Sequence, residues 1–297
     1  MPRKAHETLV MQLILISGLS GSGKSIALNV LEDAGLYCVD NLPVTLLPQL
    51  MVHLRAEGSA RVAVAVDVRS GNSIEALPEV VEHLRELVED LRFIFLDARD
   101  ATLLARYSET RRRHPLADDA MTVQEAIARE REMLAPVAVL GQRMDTSQLH
   151  PNVLRAWVRE LVQAGPAPGI TLLFQSFGFK HSVPVDADMV FDVRCLPNPF
   201  YDPAMRHLTG LDKPVADFLD ASDDVARMAG DIRRFVADWL PSFVADGRNY
   251  FTVAIGCTGG QHRSVYLAEW LSRAFAGSYK VMVRHRALAA GQKAEPR

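Results

Sequence analysis

The stretch QLILISGLSGSGKS, residues 12–25, decides the fold of the first half of this chain. Residues 12–17 have the apolar character of a buried strand, and residues 18–25 match G-x-x-x-x-G-K-[ST] at every defined position. The segment 24–35 has apolar residues at helical spacing and ends at a glycine. A glycine-rich loop between a strand and a helix presents backbone N–H groups and the helix N-terminus to an anion. The stretch therefore predicts a P-loop that holds nucleotide phosphates.

Within this loop, Lys24 can reach the β- and γ-phosphates and the Ser25 hydroxyl can bind Mg²⁺, so these two are the predicted catalytic residues. Asp67 and Asp97 each follow an apolar, strand-like run, and either could complete the metal site. The predicted ATP-binding residues are Gly18, Leu19, Ser20, Gly21, Ser22, Gly23, Lys24 and Ser25.

Strand-like runs and helical patterns alternate on both sides of the loop, for example at 61–68, 73–91 and 92–98. Such alternation predicts an α/β fold with a parallel sheet and helices on both faces. The segment AGPAPG, 164–169, interrupts the pattern, and a smaller α/β unit follows it. We therefore predict a P-loop kinase-like NTPase domain at 1–164, a second α/β domain at 165–286 and a mobile basic tail at 287–297.

Composition narrows the classes of function. The 33 Lys and Arg and 36 Asp and Glu give a net charge of −3, so binding of a polyanion would need a local cluster of cations. The three cysteines are scattered and form no C-x-x-C pair, which favours reduced thiols in the cytoplasm over a disulfide or zinc framework. No uncharged run approaches the roughly 18 apolar residues that would span a bilayer.

A second loop, GCTGGQHRS at 256–264, lies between an apolar run and a helical pattern. Cys257 and Arg263 have the C-x5-R spacing of cysteine phosphatase loops, but Gly256 stands where such loops normally have histidine. The glycines, the helix N-terminus and the guanidinium favour anion binding over attack by the thiolate. Two other classes remain open: a small-molecule kinase that holds its acceptor in this loop, and a cysteine phosphatase fused to an ATP-binding domain.

Further cations follow the strand-like run at 92–98. The segment RYSETRRRHPL, 106–116, resembles the arginine-bearing lid of small P-loop kinases, which neutralises phosphates during transfer. Its arginines are Arg106, Arg111, Arg112 and Arg113.

Several longer motifs stand in the order found in the RapZ/YvcJ family of bacterial P-loop proteins, which this chain resembles from about residue 11 to residue 286. They are GLSGSGKSIAL, YCVDNLP, DVR, ETRRRHPL, SFGFKH, DVRCLPNP, TGLDKPV and GCTGGQHRSVYLAE. The resemblance implies a regulatory protein that binds and slowly hydrolyses ATP and GTP with Mg²⁺. It also implies a C-terminal domain that senses glucosamine-6-phosphate, binds a small RNA and presents that RNA to an endoribonuclease.

The resemblance also assigns residues. The segment that matches the family's GTP site is Asp67, Val68, Arg69 and Ser70. The implied sugar-phosphate site comprises Asp192, Arg194, Cys257, Thr258, Gly259, Gly260, His262, Arg263 and Ser264. Local positive charge near the end of the chain predicts RNA contacts at Lys280, Arg284 and Arg286. Phe200 departs from the family pattern, because relatives with the RNA role can carry histidine there. We expect a homo-oligomer.

Overall fold

The structure is a computed structural model that describes residues 10–118, 121–163, 170–245, 248 and 250–291. The chain divides into two compact units, Met1–Pro166 and Ala167–Arg297. Both contain parallel sheets covered by helices, which confirms the predicted α/β class. Within the described ranges, no helix combines the length and the apolar character needed to cross a membrane.

Unit 1 is built on a five-stranded parallel sheet with strand order β2-β3-β1-β4-β5. Its strands are β1 (Gln12–Gly18), β2 (Tyr37–Asp40), β3 (Arg61–Ala65), β4 (Asp90–Asp97) and β5 (Gln142–Asp145). Its helices are α1 (Lys24–Asp33), α2 (Leu47–Ala56), α3 (Leu77–Leu87), α4 (Asp100–Thr110), α5 (Val123–Ala138) and α6 (Pro151–Gln163). Short 3-10 helices cover Val44–Leu46 and Val68–Ala76.

Strand β1 lies at the centre of the sheet and is largely buried. Leu15 pairs in register with Val64 of β3 on one side and with Phe93 of β4 on the other. Residues 13–16 are fully buried, because helices cover both faces of the sheet and leave no polar side for alternation. The chain leaves β1 where the strand order reverses, which is the position where open α/β sheets bind their ligands.

Unit 2 has a four-stranded parallel sheet with strand order β7-β8-β6-β9. Its strands are β6 (Thr171–Gly178), β7 (Met189–Asp192), β8 (Tyr250–Cys257) and β9 (Lys280–His285). Its helices are α7 (Lys213–Asp220), α8 (Asp223–Ala245), α9 (Arg263–Phe275) and α10 (Arg286–Gly291), with short 3-10 helices at Phe179–His181 and Pro199–Tyr201. In both units the first strand lies between the third and fourth strands, and the second strand lies outside the third.

The end of the chain differs from the predicted tail. Residues 286–291 form α10 directly after β9. The sequence predicts a mobile tail at 287–297, but residues 287–291 of that segment are helical. Gly260 approaches this helix so closely that an added Cβ there would lie 2.9 Å from the Cβ of Ala287. Residues 292–297, which carry Lys293 and Arg297, lie outside the described residues.

Candidate functional site

The P-loop connects the end of β1 to the start of α1. Gly21 and Gly23 have φ of +85° and +110°, a left-handed backbone that favours glycine. The turn is fixed from within by Ser22 N–H, which donates to Leu19 O at 3.0 Å. A cavity of about 640 Å³ opens over residues 20–26. The loop that the sequence predicts to hold phosphates therefore forms one wall of a cleft large enough for a nucleotide.

Lys24 is turned inward in this structure. Its Nζ donates to Gly18 O at 2.7 Å and to Leu19 O at 3.1 Å, and it lies 3.6 Å from Asp67 Oδ2. Burial lowers the pKa of the ammonium, and the negative charges of Asp67 and Glu130 oppose that shift only in part. The lysine thus lies at the cavity wall with its charge held by loop carbonyls and one carboxylate.

Asp67 follows β3 and forms a two-pronged ion pair with Arg69, whose Nη2 is 2.7 Å from Oδ2. Burial alone would raise the pKa of Asp67, but the hydrogen bonds from Arg69 and the charge of Lys24 outweigh it and hold the pKa below its usual value. Asp67 and Arg69 both line the nucleotide-sized cavity, whereas Val68 is buried in the core. The side chain of Ser70 lies outside the described residues.

The two carboxylates that the sequence offers for Mg²⁺ have different surroundings. Asp67 lines the same cavity as Ser25. Asp97 is buried and accepts hydrogen bonds from Arg131, Arg143 and the N–H of Ala98. Asp97 does not line that cavity, so it is not positioned to share a metal ion with Ser25. The oxygen donors of Ser25 and Asp67 are the ligand type that Mg²⁺ prefers, so this pair fits the ion. Elsewhere among the described residues, no cluster of three or more His, Cys, Asp or Glu side chains could hold a metal.

The arginine segment reaches the cavity from α4. Arg106 donates to Gly21 O at 2.9 Å and to Thr146 O at 2.7 Å, while the hydroxyl of Thr146 donates to Ser22 O. Arg112 and Arg113 line the cavity as well. Arg111 instead ends α4 with a left-handed φ of +53° and is exposed away from the cavity lining. Three of the four arginines predicted to form a lid therefore share the cavity with the P-loop.

Sequence reasoning overlooked Glu130, which is fully buried in α5. Its carboxylate accepts hydrogen bonds from the N–H of Ser20 at 2.9 Å and from the Ser20 hydroxyl at 2.7 Å. The helical pattern of α5 could have indicated its burial, because Glu130 falls at helical spacing between the buried Ile127 and Leu134. A carboxylate inside an apolar helical stripe needs polar partners, and here the P-loop supplies them.

The second loop joins β8 to α9 in unit 2. Cys257 is buried, its Sγ lies 3.2 Å from the hydroxyl of Ser264, and Gly260 N–H donates to the sulfur at 3.2 Å. Burial would raise the pKa of the thiol, but the hydrogen bonds from Ser264 and Gly260 and the charge of Arg263 leave it below the usual value. The site thus stabilises negative charge at the base of the loop.

Arg263 is buried at the first position of α9. Its Nη1 donates to the carbonyls of Arg194 at 2.7 Å and Leu196 at 3.0 Å, and its Nη2 lies 3.4 Å from the hydroxyl of Thr258. Arg263 Nε is buried and has no hydrogen-bond partner among the described residues, whereas the His262 ring interacts with the backbone of residues 205, 206 and 208. A buried donor beside a glycine-rich loop and a helix N-terminus is suited to a polar ligand.

Asp192 and Arg194 lie at the same end of the sheet. They form an exposed ion pair of 2.7 Å, and the guanidinium of Arg194 lies 4.2 Å from the centre of the Phe179 ring. The carbonyl of Arg194 binds Arg263, so the structure brings the predicted sugar-phosphate residues of both segments together. Gly178 at the end of β6 completes the base, since an added Cβ there would lie 2.7 Å from the carbonyl carbon of Gly259.

The predicted RNA contacts need correction. Arg284 and Arg286 are 2% and 6% exposed, and Arg286 lies 3.7 Å from the buried Asp186. Both guanidinium groups are therefore interior groups of unit 2 and do not form an exposed basic end. Lys280 at the start of β9 is half-buried, and Phe200, which replaces the histidine of some relatives, is exposed.

The architecture and the first loop define a P-loop α/β protein with a second α/β unit that carries its own glycine-rich loop. The chain belongs to the RapZ family, because residues 11–165 match the RapZ-like N-terminal domain and residues 170–289 match the RapZ C-terminal domain. This confirms the resemblance carried by the motifs.

Relatives of similar length match nearly the whole chain in sequence. A nucleotide-binding protein of Azoarcus sp. (strain BH72) is 67% identical over 94% of this chain and 96% of its own length. A nucleotide-binding protein of Aromatoleum aromaticum is 63% identical over the same shares. Among solved structures, shikimate kinase from Bacteroides thetaiotaomicron is similar over 52% of this chain and 99% of its own, with 14% identity and a TM-score of 0.36.

Proposed function

We propose that unit 1 binds a nucleoside triphosphate with Mg²⁺ and hydrolyses it slowly, and that unit 2 senses a phosphorylated metabolite. The observation that supports the first part is the convergence of the P-loop, Lys24, Asp67 and Arg106 on one cavity. The relatives' description as nucleotide-binding proteins agrees with it.

The chain's own residues have separable tasks in this cavity. The loop N–H groups and Lys24 hold the phosphates, and Arg106 and Arg113 add positive charge where a leaving phosphate would develop negative charge. The Ser25 hydroxyl and Asp67 would hold Mg²⁺, which when bound neutralises the β- and γ-oxygens. Asp67 is already engaged by Arg69 and Lys24, and its lowered pKa makes it a weak base for activating water. These contacts favour slow hydrolysis.

Calorimetric titration with ATP and GTP, each with and without Mg²⁺, tests the nucleotide proposal and decides which base is preferred. Transfer of labelled γ-phosphate to a panel of sugars and amino sugars tests the alternative, a small-molecule kinase. Labelled inorganic phosphate as the sole product supports the regulatory NTPase. A labelled sugar phosphate would instead establish the kinase.

For unit 2 we propose glucosamine-6-phosphate, or a closely related amino-sugar phosphate, as the ligand. The phosphate would lie over Gly259 and Gly260 at the N-terminus of α9, near the unpartnered Nε of Arg263. Asp192 is the carboxylate available for an amine, after release from Arg194. Titration with glucosamine-6-phosphate, glucose-6-phosphate and glucosamine separates the contributions of phosphate and amine.

RNA binding and service as an adapter for an endoribonuclease remain proposals for unit 2. Because Arg284 and Arg286 are buried, we propose the exposed Arg206 as an RNA contact. Arg206 lies 5.0 Å from the centre of the exposed Phe200 ring, a pair on which a base can stack. The test is a gel shift with Arg206→Ala at low salt, with exposed Arg273→Ala as the control.

A further inference from the structure

Glu130 combines complete burial with a set of partners that all donate to it. Ser20 N–H and the Nε2 of His114 both bind Oε2, at 2.9 and 3.1 Å, and the Ser20 hydroxyl binds Oε1 at 2.7 Å. Tyr107, packed 5.2 Å from the ring of His114, is also hydrogen-bonded to Ser20. A buried carboxylate is costly unless it is satisfied in this way, so the arrangement is held as a unit.

The second ring nitrogen of His114 settles the direction of this network. Leu116 N–H donates to His114 Nδ1 at 3.1 Å, so Nδ1 is an acceptor and carries no proton. The proton of the imidazole is then on Nε2 and points at Glu130. The backbone of the arginine segment is thereby tied, through one imidazole, to the carboxylate that holds the P-loop.

Both ends of this network adjoin residues that line the nucleotide cavity. Ser20 belongs to the P-loop and lines the cavity, and its N–H donates to Glu130. His114 follows Arg112 and Arg113, which line the cavity. Glu130 itself is not part of the cavity lining, so it acts on a ligand through these neighbours and through the effect of its charge on Lys24.

We propose that Glu130 is a positioning residue that holds the P-loop and the arginine segment in a fixed position relative to each other. The carboxylate holds the loop from behind, which leaves the remaining loop N–H groups directed at the phosphates. The same carboxylate sets the point from which Arg112 and Arg113 extend. The effect on nucleotide affinity rests on the function proposed above, whereas the effect on the two segments does not.

The test compares Glu130→Ala and Glu130→Gln in the full-length protein. The glutamine keeps an oxygen for Ser20 N–H and His114, and its amide can donate to the Ser20 hydroxyl, so it preserves all three contacts. Glu132→Ala is the matched control, because Glu132 is an exposed glutamate of the same helix. Hydrogen exchange followed by mass spectrometry on the nucleotide-free proteins reports the protection of residues 18–23 and 111–116.

We expect Glu130→Ala to speed exchange in both segments and to weaken ATP binding about tenfold or more, by analogy with other charged hydrogen bonds. Glu130→Gln should restore the protection of both segments to within about threefold, since it rebuilds the contacts, and should weaken ATP binding less than Glu130→Ala does. Faster exchange in only one segment, or in neither, overturns the proposal, as does a glutamine variant that behaves like alanine. If the wild type binds no ATP, the proposed function fails while the exchange result still decides the role of Glu130.

His114→Ala provides a second variant in case Glu130→Ala does not fold. It removes the hydrogen bond from the arginine segment to Glu130 and the ring contact with Tyr107, and it leaves both contacts between Glu130 and Ser20. The proposal requires a larger loss of protection in residues 111–116 than in residues 18–23. Equal loss of protection in both segments, or in neither, would show that Glu130 does not hold them through separate contacts.

Discussion

Lys24 and Asp67 form an ion pair in the lining of the nucleotide cavity, with Nζ and Oδ2 separated by 3.6 Å. The same Nζ is closer to two carbonyl oxygens of its own loop. Incoming phosphates must therefore compete with three oxygen atoms for one ammonium. Part of the interaction between Lys24 and a phosphate is therefore offset by the contacts that the ammonium gives up.

Replacement of Lys24 by alanine should abolish detectable ATP hydrolysis. Loss of one charged hydrogen bond costs about 1.5–3 kcal/mol, so affinity for ATP should fall at least about tenfold in calorimetric titration. The exposed Lys213 provides the control, since Lys213→Ala removes the same charge from a helix surface in unit 2. If Lys24→Ala protein hydrolyses ATP at the wild-type rate, the activity comes from another site or another protein.

The pKa of Asp67 lies below that of the unfolded chain, which is about 3.9. The carboxylate therefore stabilises the fold above about pH 4, and this contribution is lost as the pH falls through the lower folded pKa. Asp67→Asn should lower the melting temperature at neutral pH, and the difference from wild type should shrink in acid. Thermal unfolding of both proteins between about pH 2.5 and pH 7 measures this difference in melting temperature. A difference that stays constant over this pH range would show that the pKa of Asp67 does not change on folding.

Phosphate in the second loop should protect one cysteine of three. Hydrogen bonds favour the thiolate of Cys257, whereas burial raises the pKa of Cys38 to about 11 and Cys195 is exposed. We expect inorganic phosphate to slow alkylation of Cys257 severalfold and to leave Cys195 unchanged, as measured by peptide mass spectrometry. Equal protection of both thiols, or of neither, would argue against an anion bound at this loop.

Arg263→Ala should damage the fold as well as ligand binding. Its guanidinium satisfies the carbonyls of Arg194 and Leu196, and a buried acceptor left without a donor costs about 1–3 kcal/mol. Chemical unfolding of unit 2 should show this loss, while Arg273→Ala, an exposed arginine of the same helix, should stay within about 0.5 kcal/mol. Unchanged stability in Arg263→Ala would mean that those carbonyls find water instead.

A methyl group at Gly178 would collide with the second loop. Its Cβ would lie 2.7 Å from the carbonyl carbon of Gly259 and 3.0 Å from Gly260 N, so the backbone must move. We expect Gly178→Ala to cost about 1–3 kcal/mol of stability and to weaken sugar-phosphate binding. Gly277→Ala, which meets open space, is the control. Wild-type binding in Gly178→Ala would show that the loop tolerates displacement.

The features that local sequence determines were predicted correctly. The P-loop depends on eight consecutive residues between a strand and a helix, and alternating patterns fix the parallel α/β class. The surroundings of Asp67 and Asp97 could not be read in this way. Both acids follow strands, and only the fold brings Arg131 and Arg143 to Asp97.

Charge counting failed near the end of the chain for a similar reason. Arg284 faces Gln175 across the pairing of β6 with β9, and Asp186, the partner of Arg286, is a hundred positions earlier in the sequence. A run of cations has the same composition whether it is solvated or paired in the interior. Burial depends on strand pairing and on distant counter-charges, neither of which a local count contains.

The common strand order of the two sheets has a consequence for how the chain folds during synthesis. In unit 1 the first strand meets its third-strand neighbour 49 positions later, at Gln12 and Arg61; in unit 2 the corresponding separation is 79 positions, from Thr171 to Tyr250. By loop-closure entropy this difference amounts to only about 0.4 kcal/mol. Waiting time matters more, because all eight residues of β6 are buried in the finished unit and stay exposed until β8 leaves the ribosome. We expect β6 to be the segment most dependent on chaperones, which protease protection of stalled nascent chains would measure.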